Sequence, residues 1–126
     1  MKQHKPLYIV LLALLLLAGC SLQVRPGDIA GRTYRYEKDG VGGPFTIQLE
    51  EDGTFTFHEG SLSSYIGVGT WTLEGNTLCI TDEGAGKSWK NYFRADEKAL
   101  TFQAEGSENF LYRTVADGEK FLAEEP

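Results

Sequence analysis

The chain has 126 residues, 41% of them hydrophobic, and carries 12 Lys and Arg against 18 Asp and Glu for a formal net charge of −6. An acidic balance without a basic patch argues against nucleic acid as a partner and against electrostatic adhesion to anionic lipid. The length suits one domain.

At the N-terminus, Lys2 and Lys5 form a short positive region, Leu7 to Leu17 is an apolar run of eleven residues, and the small residues Ala18 and Gly19 follow. This is the layout of a secretory signal. The run is too short to span a bilayer, which takes about 20 apolar residues. Leu17-Ala18-Gly19-Cys20 resembles the lipobox of bacterial lipoproteins. The resemblance implies removal of residues 1–19 as a signal peptide and a diacylglyceryl group on the Cys20 thiol. It also implies a domain held at the extracytoplasmic face of a membrane, with the Gram-positive cell membrane favoured over an outer membrane. Two acyl chains anchor stably where one does not, each buried methylene contributing about 0.8 kcal/mol.

Residues 1–19 contain Lys2 and Lys5 and no acid, so 107 residues remain with 10 Lys and Arg against 18 Asp and Glu, a formal charge of −8. Residues 20–31 read as the lipidated cysteine and a tether, 32–122 as a β-domain and 123–126 as a tail. Ser21 to Ile29, with Pro26 and Gly27, lacks periodicity, and a flexible coil of that length spans roughly 15 to 20 Å. Cys79 is the one other cysteine, so with Cys20 acylated no intramolecular disulfide forms.

Short runs rich in Thr, Tyr, Phe, Val and Ile follow in order: Thr33 to Glu37, Phe45 to Glu50, Thr54 to Glu59, Ile66 to Leu73, Thr77 to Thr81, Trp89 to Arg94, Ala99 to Ala104 and Phe110 to Val115. Clusters of Gly, Asp, Asn and Glu separate them, the pattern of strands joined by turns. Eight strands in this length predict an all-β fold, a small antiparallel up-and-down barrel whose closure removes exposed edges. If Phe45, Ile47 and Leu49 share the inner face with Phe55 and Phe57, Leu49 stands opposite Phe55 and Glu51-Asp52-Gly53 is a three-residue loop with Gly53 left-handed. Pairing Leu73 with Leu78 and Trp71 with Ile80 leaves Gly75-Asn76 as a two-residue turn of type II′, and places Cys79 opposite Thr72 on the outer face. Phe102 opposite Tyr112 puts Ala104 opposite Phe110 across Glu105 to Asn109. The predicted interior is Phe45, Ile47, Leu49, Phe55, Phe57, Trp71, Leu73, Leu78, Ile80, Phe93, Leu100, Phe102, Phe110 and Tyr112.

The runs Leu49 to Phe57, Gly69 to Leu78 and Asp96 to Phe102 resemble the small lipocalin-like lipoproteins common in Gram-positive gut bacteria. With Asn109 to Tyr112 and Val115 to Phe121, they are also similar to an extracellular β-domain attached to membrane metallopeptidases of the β-lactam-sensor type. The likeness covers most of residues 30 to 121 and rests on hairpin signatures. It implies a lipocalin-like barrel outside the cytoplasm. True lipocalins carry Gly-x-Trp on the first strand, whereas Gly69-Thr70-Trp71 stands mid-chain.

Motifs that would carry chemistry do not assemble. Gly84-Ala85-Gly86-Lys87-Ser88 ends like a P-loop, but Thr81 stands where the pattern needs glycine and a strand follows it. His58, the one histidine of the mature chain, alternates outward from Phe57 and has no partners for a metal site or a triad. Leu78 and Ile80 beside Cys79 suggest a packed thiol. Asp39-Gly40, Asp52-Gly53 and Asp117-Gly118 lack the alternating ligands of a calcium loop and read as turns. The expectation is therefore no catalytic residues, no cofactor and no metal. Two binding readings follow: an interaction or sensing module for a protein partner at the cell envelope, or a carrier of one small apolar ligand inside the barrel. For the favoured interaction reading, the candidate surface is Leu62, Tyr65 and Ile66, which flank a polar loop.

Overall fold

A computed structural model describes residues 23–36, 43–60, 64–84, 86–110 and 113–125. Cys20, Leu62 and Tyr112 lie outside the described residues. Eight antiparallel strands close into a barrel in chain order: β1 (Thr33–Tyr36), β2 (Phe45–Leu49), β3 (Thr54–His58), β4 (Ile66–Glu74), β5 (Thr77–Asp82), β6 (Trp89–Ala95), β7 (Ala99–Gln103) and β8 (Lys120–Ala123). The small antiparallel up-and-down barrel expected from the alternation is the fold observed.

Two hairpins have the register that their turn residues dictate. Leu49 pairs with Phe55, and Gly53 between them has φ of 88°. Asp52 completes that loop, its Oδ1 accepting from Thr54 N at 3.0 Å and Thr54 Oγ1 at 2.6 Å. These two bonds lower the Asp52 carboxyl pKa, the side-chain bond more. Trp71 pairs with Ile80, Thr72 with Cys79 and Leu73 with Leu78. Gly75 has φ of 60°, and Asn109 is the one non-glycine with positive φ among the described residues, so Asn76 does not share it. A positive φ at the first central position alone is the mark of type II′.

The strands bury alternate residues, except that β7 buries both Ala99 and Leu100, and rings make up much of the buried set. Phe45 meets Phe57 at 5.5 Å, Phe110 at 4.7 Å and Phe121 at 5.1 Å, and Phe93 meets Phe102 at 5.5 Å and Phe121 at 5.6 Å. Tilted and edge-to-face contacts at these separations suit the aromatic quadrupole and add to the gain from burial. Tyr34, Tyr36, Phe121 and Val115 join the expected interior, while Leu73 is only half-buried.

The last strand is not where residue preference places it. Phe110 and Arg113–Val115 are not in a strand, and β8 is Lys120–Ala123, pairing Leu100 with Phe121 and Thr101 with Lys120. Phe102 N donates to Glu119 O, and Ala104 N donates to Asp117 Oδ1, so Ala104 does not stand opposite Phe110. Closure explains the choice. β8 pairs with both β7 and β1, with Leu122 opposite Arg35 and Ala123 opposite Tyr34. Phe121 is thereby turned inward while Phe110 is left free to fill the barrel end. The barrel consequently extends to Ala123, and Glu124 N still bonds Thr33 O.

The segment expected as a tether is also partly built into the fold. Pro26–Ile29 forms a single helical turn, α1, with proline at its start, where a missing N–H is tolerated. Arg25 N donates to Asp28 Oδ2 at 2.9 Å, and Gly31 N donates to Leu49 O at 2.7 Å. Ile29 is fully buried, so α1 caps the end of the barrel that carries the short turns. Among the described residues, no helix is long and apolar enough to cross a membrane.

Candidate functional site

Antiparallel order sends the longer connections to one end of the barrel: residues 37–44, 59–65, 83–88 and 104–119. Alternation brings polar side chains into that mouth. Asp82 follows Leu78 and Ile80 on the inner face, and Asn91 precedes Phe93 on the inner face of β6; both are buried. A buried carboxylate or amide is tolerated where hydrogen bonds replace its hydration. Asp82 Oδ2 accepts from the Tyr65 hydroxyl at 2.7 Å, and its Oδ1 accepts from Gly84 N at 2.9 Å and Val68 N at 3.2 Å. One carboxylate thus ties the start of β4 to the end of β5.

Asn91 clamps the long β7–β8 connection. Its Oδ1 accepts from Asn109 N at 2.8 Å, and its Nδ2 donates to Asn109 O at 3.3 Å. Asn109 adopts φ of 71°, a conformation that asparagine tolerates better than most residues. Its own Oδ1 accepts from Phe110 N and Val115 N, each at 2.9 Å, and its Nδ2 donates to Val115 O at 2.9 Å. The backbone reversal aims Phe110 into the barrel, where its ring lies 5.2 Å from Phe57 and 6.0 Å from Phe102.

Charged groups fasten the rim. Lys87 Nζ sits 3.9 Å from the Trp89 ring centre and 3.7 Å from Glu108 Oε2, while Glu108 N donates to Lys90 O. Arg113 Nη1 donates to Gly43 O at 2.9 Å and to Glu59 O at 3.4 Å, joining three connections. Beneath this rim, Phe57, Tyr65, Asp82, Trp89, Asn91, Asn109 and Phe110 enclose about 10 Å³. Trp89 Nε1 is buried without a hydrogen-bond partner among the described residues. A void of this size holds about one water molecule.

Of the residues expected to bind, Tyr65 and Ile66 are at this end, and Leu62 falls between described segments. Tyr65 is half-buried, bonded to Asp82 and 6.0 Å from Phe57, so its side chain helps to close the fold. Ile66 is 55% exposed and Val68 is 44% exposed, two positions apart on the outer face of β4. Sequence reasoning passed over Val68, Asp82 and Asn91, although period-two counting puts Val68 outward with Ile66 and turns the other two inward.

The remaining candidates are dispersed. His58 Nδ1 accepts from Gly60 N at 3.4 Å. Cys79 is half-buried on the outer face rather than in the core, with Sγ 4.0 Å from Thr81 Oγ1, and the neighbouring Tyr92 hydroxyl has its pKa raised by the thiol. No group of three His, Cys, Asp or Glu side chains converges among the described residues. Comparison with family models, with curated proteins and with solved structures finds no match to this chain.

Proposed function

We propose that the chain is a lipid-anchored, extracytoplasmic lipoprotein whose barrel acts as a non-catalytic interaction or sensing module, engaging a protein partner through the long-loop end. The close packing of rings among the described core residues is the observation that carries this reading. Small-molecule pockets usually measure about 300 to 1,000 Å³, whereas the hollow that Phe57, Asp82, Asn91 and Phe110 help to line measures about 10 Å³. Recognition then falls to the outer surface, where Ile66 and Val68 stand exposed beside the polar mouth. Closure leaves no free strand edge for a peptide to extend, so a partner would be met by side chains on the loops and the outer face. The anchor itself rests on Leu17-Ala18-Gly19-Cys20 at the end of the apolar run.

Ile66 is the residue to perturb, since Tyr65→Ala would also remove the bond to Asp82. Crosslinking and recovery of the lipidated protein from its own membranes, wild type beside Ile66→Lys, is the experiment. An anchor residue at an interface contributes about 2 kcal/mol or more, so Ile66→Lys should lose its partner while melting at the wild-type temperature. Equal recovery of the same proteins by both forms, with a lipid or metabolite co-purifying with each, would instead favour carriage of an apolar ligand. A Cys20→Ala variant whose signal has been cleaved should leave the membrane fraction, and retention of that cleaved form equal to wild type would overturn the anchor.

A further inference from the structure

The described chain begins against the tip of the β4–β5 hairpin. Val24 N donates to Asn76 Oδ1 at 2.9 Å, and Gln23 Nε2 lies 3.9 Å from the place a Cβ at Gly75 would occupy. Val24 packs against the core, and α1 then seats Ile29 in the barrel end. Three residue steps separate Cys20 from Gln23 in the sequence, and an extended chain covers at most about 3.6 Å per step, so this linker reaches no farther than about 11 Å. The opposite end is much farther away. Ten residue steps along β4 separate Tyr65 from Gly75, about 33 Å at 3.3 Å each. Barrel strands tilt roughly 35 to 45° from the axis, which leaves about 25 Å of height.

We propose that the short-turn end of the barrel is the membrane-facing surface of this protein, held on the lipid headgroups by a linker too short to let the barrel turn over. The inference rests on the reading of Cys20 as the acylated residue. It also presents the long-loop end, with Ile66, about 25 Å farther from the bilayer. The membrane-facing end carries exposed Glu51, Asp52, Glu74, Asp96 and Glu97 together with the cations Arg25 and Lys98. Such a surface suits a zwitterionic headgroup layer. Charges are screened over about 8 Å at physiological salt, so anionic lipid would push the end out toward the limit of the linker.

The test uses the full lipidated protein in phosphatidylcholine vesicles, with Cys79→Ser and a single nitroxide at either Glu97→Cys or Ser88→Cys. Both positions are exposed, the first on a short turn and the second on a long connection. Relaxation of the nitroxide by nickel chelated to lipid headgroups should be several-fold stronger at position 97 than at 88. A Gly/Ser insertion of about 20 residues after Ser21, whose coil spans about 25 Å, should abolish the contrast. Equal relaxation at the two positions without the insertion, or stronger relaxation at 88, overturns the orientation. Vesicle flotation separates the two readings: a protein that does not float refutes acylation at Cys20, and one that floats without the contrast refutes the orientation alone.

Discussion

Gly67→Ala should destabilise the barrel, against the ordinary trend. Where the backbone is unstrained and space is free, Gly→Ala stabilises by about 0.4 to 1 kcal/mol through the unfolded chain. Gly67 lies on β4 directly opposite Phe57, whose ring covers it. A Cβ built there would stand 1.8 Å from Phe57 Cε1 and 2.3 Å from Cδ1 and Cζ. The ring cannot withdraw easily, because Phe45 lies 5.5 Å away, Phe110 5.2 Å and Tyr65 6.0 Å. Overpacking a well-filled core costs about 1 to 3 kcal/mol, so a net loss of about 1 to 2 kcal/mol remains after the backbone gain. At about 4 to 8 °C per kcal/mol for a domain near this size, the melting temperature should fall by about 10 °C. Thermal unfolding of the mature chain carrying Cys20→Ala, followed by circular dichroism, gives the number. Repeating it in a Phe57→Leu background isolates the contact, since residues that touch couple by about 0.5 to 3 kcal/mol. Gly67→Ala should cost much less there. A rise in melting temperature in the wild-type background, or the same fall in both, would refute the packing of Phe57 over Gly67.

Gly53→Val should lower the melting temperature by several degrees, because a side chain at φ of 88° is penalised by about 1 to 2 kcal/mol; an unchanged transition would refute the left-handed loop. Tyr34 is fully buried and donates to Asp96 O, and burial pushes its pKa up to about 12 from a usual value near 10. In the unfolded chain this phenol ionises first, so the stability it contributes is intact below pH 10 and is lost as pH rises through about 12. Tyr34→Phe should therefore lose less stability than wild type between pH 10 and 12, measured by urea midpoints, and an equal decline in both would remove Tyr34 as the cause.

The hairpins were legible because their determinants are local. Gly53 at the third position of its loop, Gly75 at the first of its turn, and alternation on either side fix which residues pair, and the pairs Leu49 with Phe55 and Leu73 with Leu78 follow. The residues of the mouth were half legible. Tyr65 and Ile66 stand out as apolar groups beside a loop, and the inward placement of Asp82 and Asn91 could have been counted from Ile80 and Phe93. Their partners could not, since Asn91 meets Asn109 across 18 residues and Asp82 meets Tyr65 across 17.

Residue preference favoured Phe110 to Val115 as the last strand because that run is richer in β-formers than Lys120 to Ala123. Barrel closure overrode it. A closing strand must satisfy two neighbours at once, and β8 does so by pairing with β7 and with β1, nearly ninety residues earlier in the chain. The same long-range demand turned Phe110 into a plug and drew Ile29 from an unpatterned segment into the opposite end. By itself the sequence determined the first seven strands, two of their hairpin turns and most of the inward faces, which depend on neighbours a few residues apart. Only the tertiary structure decided which segment closes the barrel, what fills its two ends, and which buried polar groups find each other, because those choices are made by contacts that local chemistry does not encode.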